Sequence, residues 1–338
     1  MTAPLFTLAL GAGQHAHVVD TAEGAGQLQV SGLAPLAFHE EGGRLHLAAL
    51  PEGFPAQALL ALLGSRFARR KKLAHLVLET AASEAFAVEA ARLGVIDHFI
   101  PLRPGTFELH ASRASFWQHP LPWLTAPASG HTAPAWVFSG EKRHPRRPPL
   151  PAGEVYRRHL PGLNATFSLR TVDVDRDLQA FNKWMNLEQV AYFWEQTGSL
   201  EEHAQYLGEM LADRRVHPLI GCFDDEPFAY FELYWCKEDR IAPYYDAGDF
   251  DRGWHVVIGE SKHQGAGKLK AWFNSLMHYM FLDDARTQRI LGEPRIDHTR
   301  QIDFLKSQGF GHLKNIQFKH KRAALLLLER EFFEDRAL

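Results

Sequence analysis

Within this 338-residue chain, the densest run of chemistry-bearing residues lies between Trp254 and Phe281. There a short β-branched strand pattern, Gly253 to Gly259, passes through the loop ESKHQGAG into a stretch of helical spacing. Glycines let backbone amides approach a ligand closely, and a helix N-terminus favours negative charge. Lys262, Gly265, Ala266, Gly267 and Lys268 therefore form a natural seat for a pyrophosphate. The same GxG before a helix also serves as an ordinary turn. No GKS or GKT follows four residues after a first glycine, and the full GxGxxG is absent, so ATP and NAD are set aside. His255 lies inside the strand, Glu293 ends the next one, and Asp297 stands just beyond it. On spacing alone, His255 reads as a histidine packed between Trp254 and Val256, and Asp297 as part of a helix N-cap region.

The elements that would position these groups fall in two blocks. From about Ala126 to Pro151 the sequence APASGHTAPAWVFSGEKRHPRRPPLP replaces apolar periodicity with proline, glycine, serine and charge, the signature of a connection. Domain boundaries are accordingly expected at 1–125, 126–151 for a linker, and 152–338. In the first block, PLAFHEEGGRLHLAAL predicts a hairpin, Gln57 to Lys71 and Ala81 to Leu93 predict helices, and LAHLVLE a strand between them. It holds no phosphate loop or polar cluster, which assigns it a structural or interface role. In the second block we expect a strand at Phe167 to Arg170 and helices at Asp175 to Met185 and Leu200 to Arg214. Ser199 and Glu202 form a capping box for the latter. Strands at His217 to Phe223 and Phe228 to Cys236 pair across Asp224-Asp225-Glu226-Pro227. After the strand-loop-helix come a strand at Arg289 to Glu293, a helix at His298 to Gln308, and closing strands at Leu313 to Lys319 and Ala323 to Leu328. The fold class is α/β.

Composition narrows the function. The formal charge of −3 offers no basic excess for a phosphate backbone, which argues against nucleic acid. The basic runs Arg69 to Lys72 and Arg143 to Arg147 read as a solvated helix end and a solvated linker. No apolar run approaches membrane-spanning length and no basic n-region opens the chain, so a soluble cytoplasmic protein is expected. Cys222 and Cys236 sit in apolar strand patterns without a metal-ligand spacing, and read as buried free thiols. No metal is implied.

The element order of the second block resembles the GNAT fold, whose signature is Arg or Gln, two residues, then GxG or GxA. Lys262-His263-Gln264-Gly265-Ala266-Gly267 carries it with lysine in first place, which keeps the charge but not the planar fork. Across about Pro148 to Lys321, the blocks RPPLPAGEVYRR, FNKWMN, YFWEQTGSLEEH, PLIGCFDDEPFAYFELYW, FDRGWHVVIGE, DDARTQRILGEPRID and GFGHLKNIQFKHKR resemble the aerobactin-type N-hydroxylysine N-acetyltransferases and their mycobactin and hydroxamate relatives.

The resemblance implies a mixed central sheet flanked by helices, and the helix-strand-helix order of the smaller N-terminal α/β domain suggests a degenerate GNAT-like half. It implies acetyl-CoA as co-substrate and acetylation of a side-chain hydroxylamine in siderophore biosynthesis. A siderophore synthetase or a hydroxylase would be the partner. His255 and Asp297 match the catalytic pair, brought together by adjacent strand ends; Asp297 would be the base and His255 would orient or share the proton, or the reverse, with Glu293, ending its strand beside the same cleft, as a third candidate. Backbone amides of Val257 and nearby residues would hold the pantetheine arm as if it were another strand. Trp194, Glu195, Tyr234, Trp235, Arg252 and Glu293 would surround the acceptor, with Glu195 or Arg252 at its charged end, and His263 would be solvent-exposed. Two alternatives stand beside this one: succinyl or other acyl transfer to N-hydroxyputrescine or N-hydroxycadaverine, and a non-catalytic acyl-CoA-binding module.

Overall fold

The computed structural model describes residues 7–70, 72–125, 134–263 and 265–337. Two compact units result, Met1–Pro122 and Trp123–Ala337. The first contains β1 (Thr7–Gly11), β2 (Gln14–Ala22), β3 (Ala25–Val30), β4 (Leu36–Glu41), β5 (Arg44–Leu47), helix α1 (Leu59–Arg69), β6 (His75–Ala81), α2 (Glu84–Arg92), β7 (His98–Arg103), β8 (Thr106–Ser112) and α3 (Arg113–Gln118). Strands β1 to β3 are additions to the sequence reading. His17, Gln27 and Gln29 alternate with the buried Ala16, Val18, Leu28 and Val30, the period of a half-buried strand, so these strands were signalled locally and overlooked. Gly42 and Gly43, both at positive φ (57° and 79°), make the two-residue turn between β4 and β5.

The second unit contains β9 (Trp136–Ser139), β10 (Lys142–Pro145), β11 (Glu154–Leu160), β12 (Ala165–Thr171), α4 (Val174–Met185), α5 (Glu188–Trp194), α6 (Leu200–Ala212), β13 (Val216–Phe223), β14 (Glu226–Trp235), β15 (Arg252–Ile258), α7 (Ala266–Asp283), β16 (Arg289–Gly292), α8 (Thr299–Ser307), β17 (Gly311–Gln317), β18 (Arg322–Glu329) and α9 (Arg330–Ala337). The Ser199/Glu202 capping box forms at the start of α6. Asp224 and Asp225, at φ 49° and 64°, turn β13 into β14. Pro227 therefore belongs to the strand rather than to the turn.

Both units use one topology. The sheets run β1-β2-β3-β4-β5-β6-β8-β7 and β11-β12-β13-β14-β15-β16-β18-β17. In each, the parallel step falls between the fifth and sixth strands, and it is confined to two residue pairs, Leu45↔Leu78 with His46↔Glu79 and Arg252↔Ile290 with Gly253↔Leu291. The N-terminal unit is thus GNAT-like in strand order. It is degenerate where ligand chemistry would sit: β5 stops at Leu47, one residue past the parallel contact, whereas β15 runs on to Ile258.

Residues 126–133 of the expected linker lie outside the described residues. From Trp136 to Pro145 it is a β9/β10 hairpin rather than open connection, and residues 146–151 are irregular. Arg147 there is not solvated: it is 5 % exposed, forms two 2.6 Å bonds to the buried Glu238 carboxylate, and lies 4.2 Å over the Trp235 ring. An aromatic face and a desolvated carboxylate about 90 residues away decide its place, and local composition carries no sign of either.

Candidate active site

The core of the site is an interrupted sheet. Cys236 N donates to Asp251 O at 2.9 Å and Gly259 N to Phe228 O at 2.9 Å, bracketing the antiparallel β14–β15 ladder. Hydrogen-bonded pairs alternate along such a ladder, so the backbone groups of Gly253, His255 and Val257 are committed to β14. Those of Trp254, Val256 and Ile258 point the other way. Pairing with β16 ends at Gly253, so this edge is open over five residues, 254–258. Trp194 Nε1 donates to Val256 O at 3.2 Å, as that phase requires. The edge can take an extended ligand as an added strand. Val257 itself is a correction: its amide belongs to the β14 ladder and its side chain is buried, so the free amides are those of its neighbours.

The edge leads to the start of α7. The first helical bond there is Leu269 N to Gly265 O, at 2.9 Å, which leaves the amides of Ala266, Gly267 and Lys268 without intrahelical acceptors. Gly265 caps the helix at φ −60°, a conformation open to any residue, and a Cβ on it would meet nothing within 4 Å. A Cβ on Gly267 would meet only Leu163 Cδ2, at 3.5 Å. Neither backbone strain nor packing demands glycine at these two positions. Open ground above bare amides at a helix N-terminus fits a pyrophosphate. Lys262 is ion-paired with Glu226, Lys268 Nζ lies 2.9 Å from His263 Nδ1, and Gln264 lies outside the described residues. His263 is buried, not exposed, and stacks on Phe223.

Beside the open edge, His255 is held between two carboxylates. Its Nδ1 lies 3.0 Å from Glu232 Oε2 and its Nε2 2.9 Å from Glu293 Oε1. Tyr206 and Tyr230 donate to Glu232 Oε1, and Tyr234 donates to Glu293 Oε2 at 2.8 Å. Gly253 admits the Tyr234 ring, since a Cβ there would fall 2.1 Å from it. Burial works against the imidazolium, but the charge of Glu293 and the bonds to both glutamates prevail and raise its pKa to about 9. The same pairing overcomes burial at Glu232 and Glu293 and holds both below the ordinary carboxylate range. The ring is therefore cationic at neutral pH.

A cleft of about 720 Å³ opens on this cluster, lined by Trp194, Glu195, Tyr234, His255, Val257 and Glu293 among the expected site residues. Trp194 and Glu195 end a short helix, α5, with Glu195 left-handed at φ 53°, rather than occupying a loop. Arg252 and Trp235 do not line the cleft. Arg252 is 2 % exposed, ion-paired with Asp283 at 2.7 Å, and stacked on Trp235. The alternation of strand side chains explains this: Arg252 is three residues from His255 and so faces the opposite side of the sheet. Asp297 neither lines the cleft nor contacts His255. It stands half-exposed, bonded to Arg295 at 3.0 and 3.2 Å and to the Tyr192 hydroxyl at 3.3 Å, and the Arg295 bond lowers its pKa. Arg295 does line the cleft.

Sequence reasoning missed Glu232, Tyr206, Arg240 and Lys321. Glu232 had a signal, being the single charge inside the buried strand run PFAYFELYW, directly across the ladder from His255. Among the described residues no group of three or more His, Cys, Asp or Glu is arranged to hold a metal, and no helix is long and apolar enough to cross a membrane.

Residues 173–318 match the acetyltransferase (GNAT) domain family. The chain is 42 % identical over 223 residues to the N(6)-hydroxylysine O-acetyltransferase of Escherichia coli, covering 65 % of this chain and 70 % of that protein. It is 42 % identical over 196 residues to the N(5)-hydroxyornithine:cis-anhydromevalonyl coenzyme A-N(5)-transacylase of Beauveria bassiana, covering 56 % of this chain and 43 % of that one. Among solved structures, an uncharacterised protein from Bacillus halodurans superposes with a TM-score of 0.52 at 28 % identity, over 55 % of this chain and 94 % of that one. Fold, open strand edge and sequence relatives agree: the chain belongs to the GNAT family and is an N-acyltransferase related to the hydroxylysine and hydroxyornithine enzymes.

Proposed function

We propose that the protein acetylates the side-chain hydroxylamine nitrogen of N-hydroxylysine, with acetyl-CoA as donor, to give the hydroxamate of a siderophore precursor. The observation that carries the reading is the open β15 edge, which runs from the His255 cluster to the bare amides of α7 and matches an acyl-pantetheine arm ending in a pyrophosphate. Acyl-CoA supplies a thioester-activated acyl group. Trp254, Val256 and Ile258 hold the arm through their outward amides, and one of these amides receives the thioester oxygen. The first turn of α7 holds the pyrophosphate. A hydroxylamine is far less basic than a lysine amine, whose reference pKa is about 10.4, so it arrives neutral and needs only a moderate base. His255, cationic with both ring nitrogens engaged, is a positioning residue that fixes Glu232 and Glu293. As the C–N bond forms and the C–S bond breaks, Asp297, ionised beside Arg295, takes the proton from nitrogen and CoA leaves as its thiolate.

A thiol-release assay crossing acetyl-CoA and succinyl-CoA with lysine, N-hydroxylysine and N-hydroxycadaverine tests this. Turnover confined to acetyl-CoA with N-hydroxylysine is expected; turnover with lysine alone, or none in the grid, overturns it. Asp297→Asn should lower kcat about a hundredfold or more while leaving the KM for acyl-CoA within about twofold, the span expected of a general base.

A further inference from the structure

We infer that Arg240 and Lys321 form a carboxylate-recognition site inside the cleft, which makes a carboxylate on one substrate a determinant of specificity. The inference rests on the acyl-transfer reading of this cleft and goes on to say which chemistry its charged end selects.

Both side chains line the cavity that contains His255 and Glu293. Arg240 is half-exposed there, with its guanidinium 5.4 Å over the Phe318 ring. Its nearest carboxylate oxygen is Glu293 Oε1, at 3.8 Å, beyond hydrogen-bond distance. That oxygen already faces His255 Nε2 at 2.9 Å, and the other oxygen of Glu293 accepts from Tyr234 at 2.8 Å. Glu293 is thus saturated by closer partners, and among the described residues the Arg240 fork makes no hydrogen bond. Lys321 is placed more firmly. Its Nζ donates to the Glu293 carbonyl at 2.9 Å and lies 3.7 Å from Glu293 Oε1, with most of its stem buried. The ammonium keeps two further N–H groups. Because both cations approach one oxygen, their charged nitrogens are no more than about 7.5 Å apart.

The other guanidiniums near the site are committed. Arg295 is bonded to Asp297, and Arg252 is buried against Asp283. Only Arg240 presents an unused planar fork to the cavity among these three. Such a fork pairs bidentately with a carboxylate, and a neighbouring ammonium adds charge and a third donor. The contact with the Phe318 ring holds the guanidinium at the cavity before the ligand arrives, which reduces the ordering cost of binding.

Two substrates of an acyl transfer can bring a carboxylate here: an α-amino acid acceptor through its α-carboxylate, or a dicarboxylic acyl donor through its distal one. Either would be read by the same two cations. A decarboxylated diamine acceptor combined with a monocarboxylic acyl donor would leave them empty.

The test uses the full chain, as wild type, Arg240→Gln and Arg240→Lys, with kcat and KM measured for N-hydroxylysine and N-hydroxycadaverine against both acetyl-CoA and succinyl-CoA. For whichever substrate brings the carboxylate, Arg240→Gln should raise KM about tenfold to a hundredfold, with kcat within about threefold. The carboxylate-free counterpart should shift less than about threefold, and Arg240→Lys should recover part of the loss. A loss that follows N-hydroxylysine assigns the site to the acceptor, and one that follows succinyl-CoA assigns it to the donor. Equal losses for carboxylate-bearing and carboxylate-free substrates, or no loss, overturn the inference. If the wild type releases no thiol with any pair, the acyl-transfer reading fails by itself, and calorimetry then decides the site. N-Hydroxylysine and N-hydroxycadaverine are titrated in the presence of free CoA, and succinyl-CoA and acetyl-CoA without acceptor. A preference of at least about tenfold for the carboxylate-bearing member of either pair, abolished in Arg240→Gln, upholds the inference; equal wild-type affinity within both pairs overturns it.

Discussion

Replacing Glu232 by glutamine should change the pH dependence of stability in a defined direction. The amide oxygen can still accept from His255 Nδ1, but one of the two negative charges holding the imidazolium is gone. In the wild type the pKa of His255 rises from 6.5 to about 9, and at about 1.4 kcal/mol per unit this corresponds to a contribution on the order of 3 kcal/mol. A folded-state pKa above the unfolded one gives stability that is fully present below 6.5 and is lost as pH rises through about 9. Glu232 and Glu293 behave oppositely. Their pKa values are lowered, so their contribution is present above the ordinary value of 4.5 and is lost only as pH falls through the depressed values. Of the three groups, the histidine alone therefore titrates between neutrality and about pH 10. Urea unfolding of wild type and Glu232→Gln at a series of values from about pH 6 to about pH 10, with the His255 ring resonances followed by NMR, isolates the effect. The stability gap between the two proteins should narrow by about 1–2 kcal/mol over that range, and the ring should titrate lower in the variant. A gap that stays constant, or a wild-type ring that titrates near its ordinary value, would refute the carboxylate clamp.

Two further outcomes follow from the geometry. Gly265→Glu, at an ordinary φ with open space around its Cβ, should change stability by no more than about 0.5 kcal/mol, whereas the KM for acyl-CoA should rise about tenfold as a carboxylate meets the pyrophosphate seat; thermal melts and KM values check both. Arg147→Ala removes the partner of a fully buried carboxylate, Glu238, and should lower unfolding stability by about 3–5 kcal/mol without changing the KM for acyl-CoA.

What was legible in the sequence was local. The capping box of α6, the Asp224-Asp225 turn and the passage from β15 through glycines into α7 each depend on residues a few positions apart, and each appears in the structure. The buried Arg147 depends on partners about 90 residues away, which no window displays, whereas the β9/β10 hairpin pairs residues within ten positions and was hidden only by the proline and charge around it. Within the site, His255 and Glu293 could be singled out, but Glu232 was missed, because ladder register rather than local spacing places it across from His255. Arg252 and Trp235 were legible in principle. Both are an odd number of residues from a cleft-facing neighbour on the same strand, His255 and Tyr234, and the parity of a pleated strand turns them away.

The shared topology of the two sheets bears on how such a protein changes. In the N-terminal unit the sheet closes although its fifth strand stops at Leu47. The frame therefore does not depend on the extension that, in the C-terminal unit, continues through His255 to Ile258. In the C-terminal unit that extension is bonded along one edge to β14 and buries Trp254 and Val257, so there it is part of the core. The same strand order is thus built with it and without it, and where it is present its outward backbone stays unclaimed by the sheet, a groove made of main chain whose hold on a ligand does not depend on which side chains surround it.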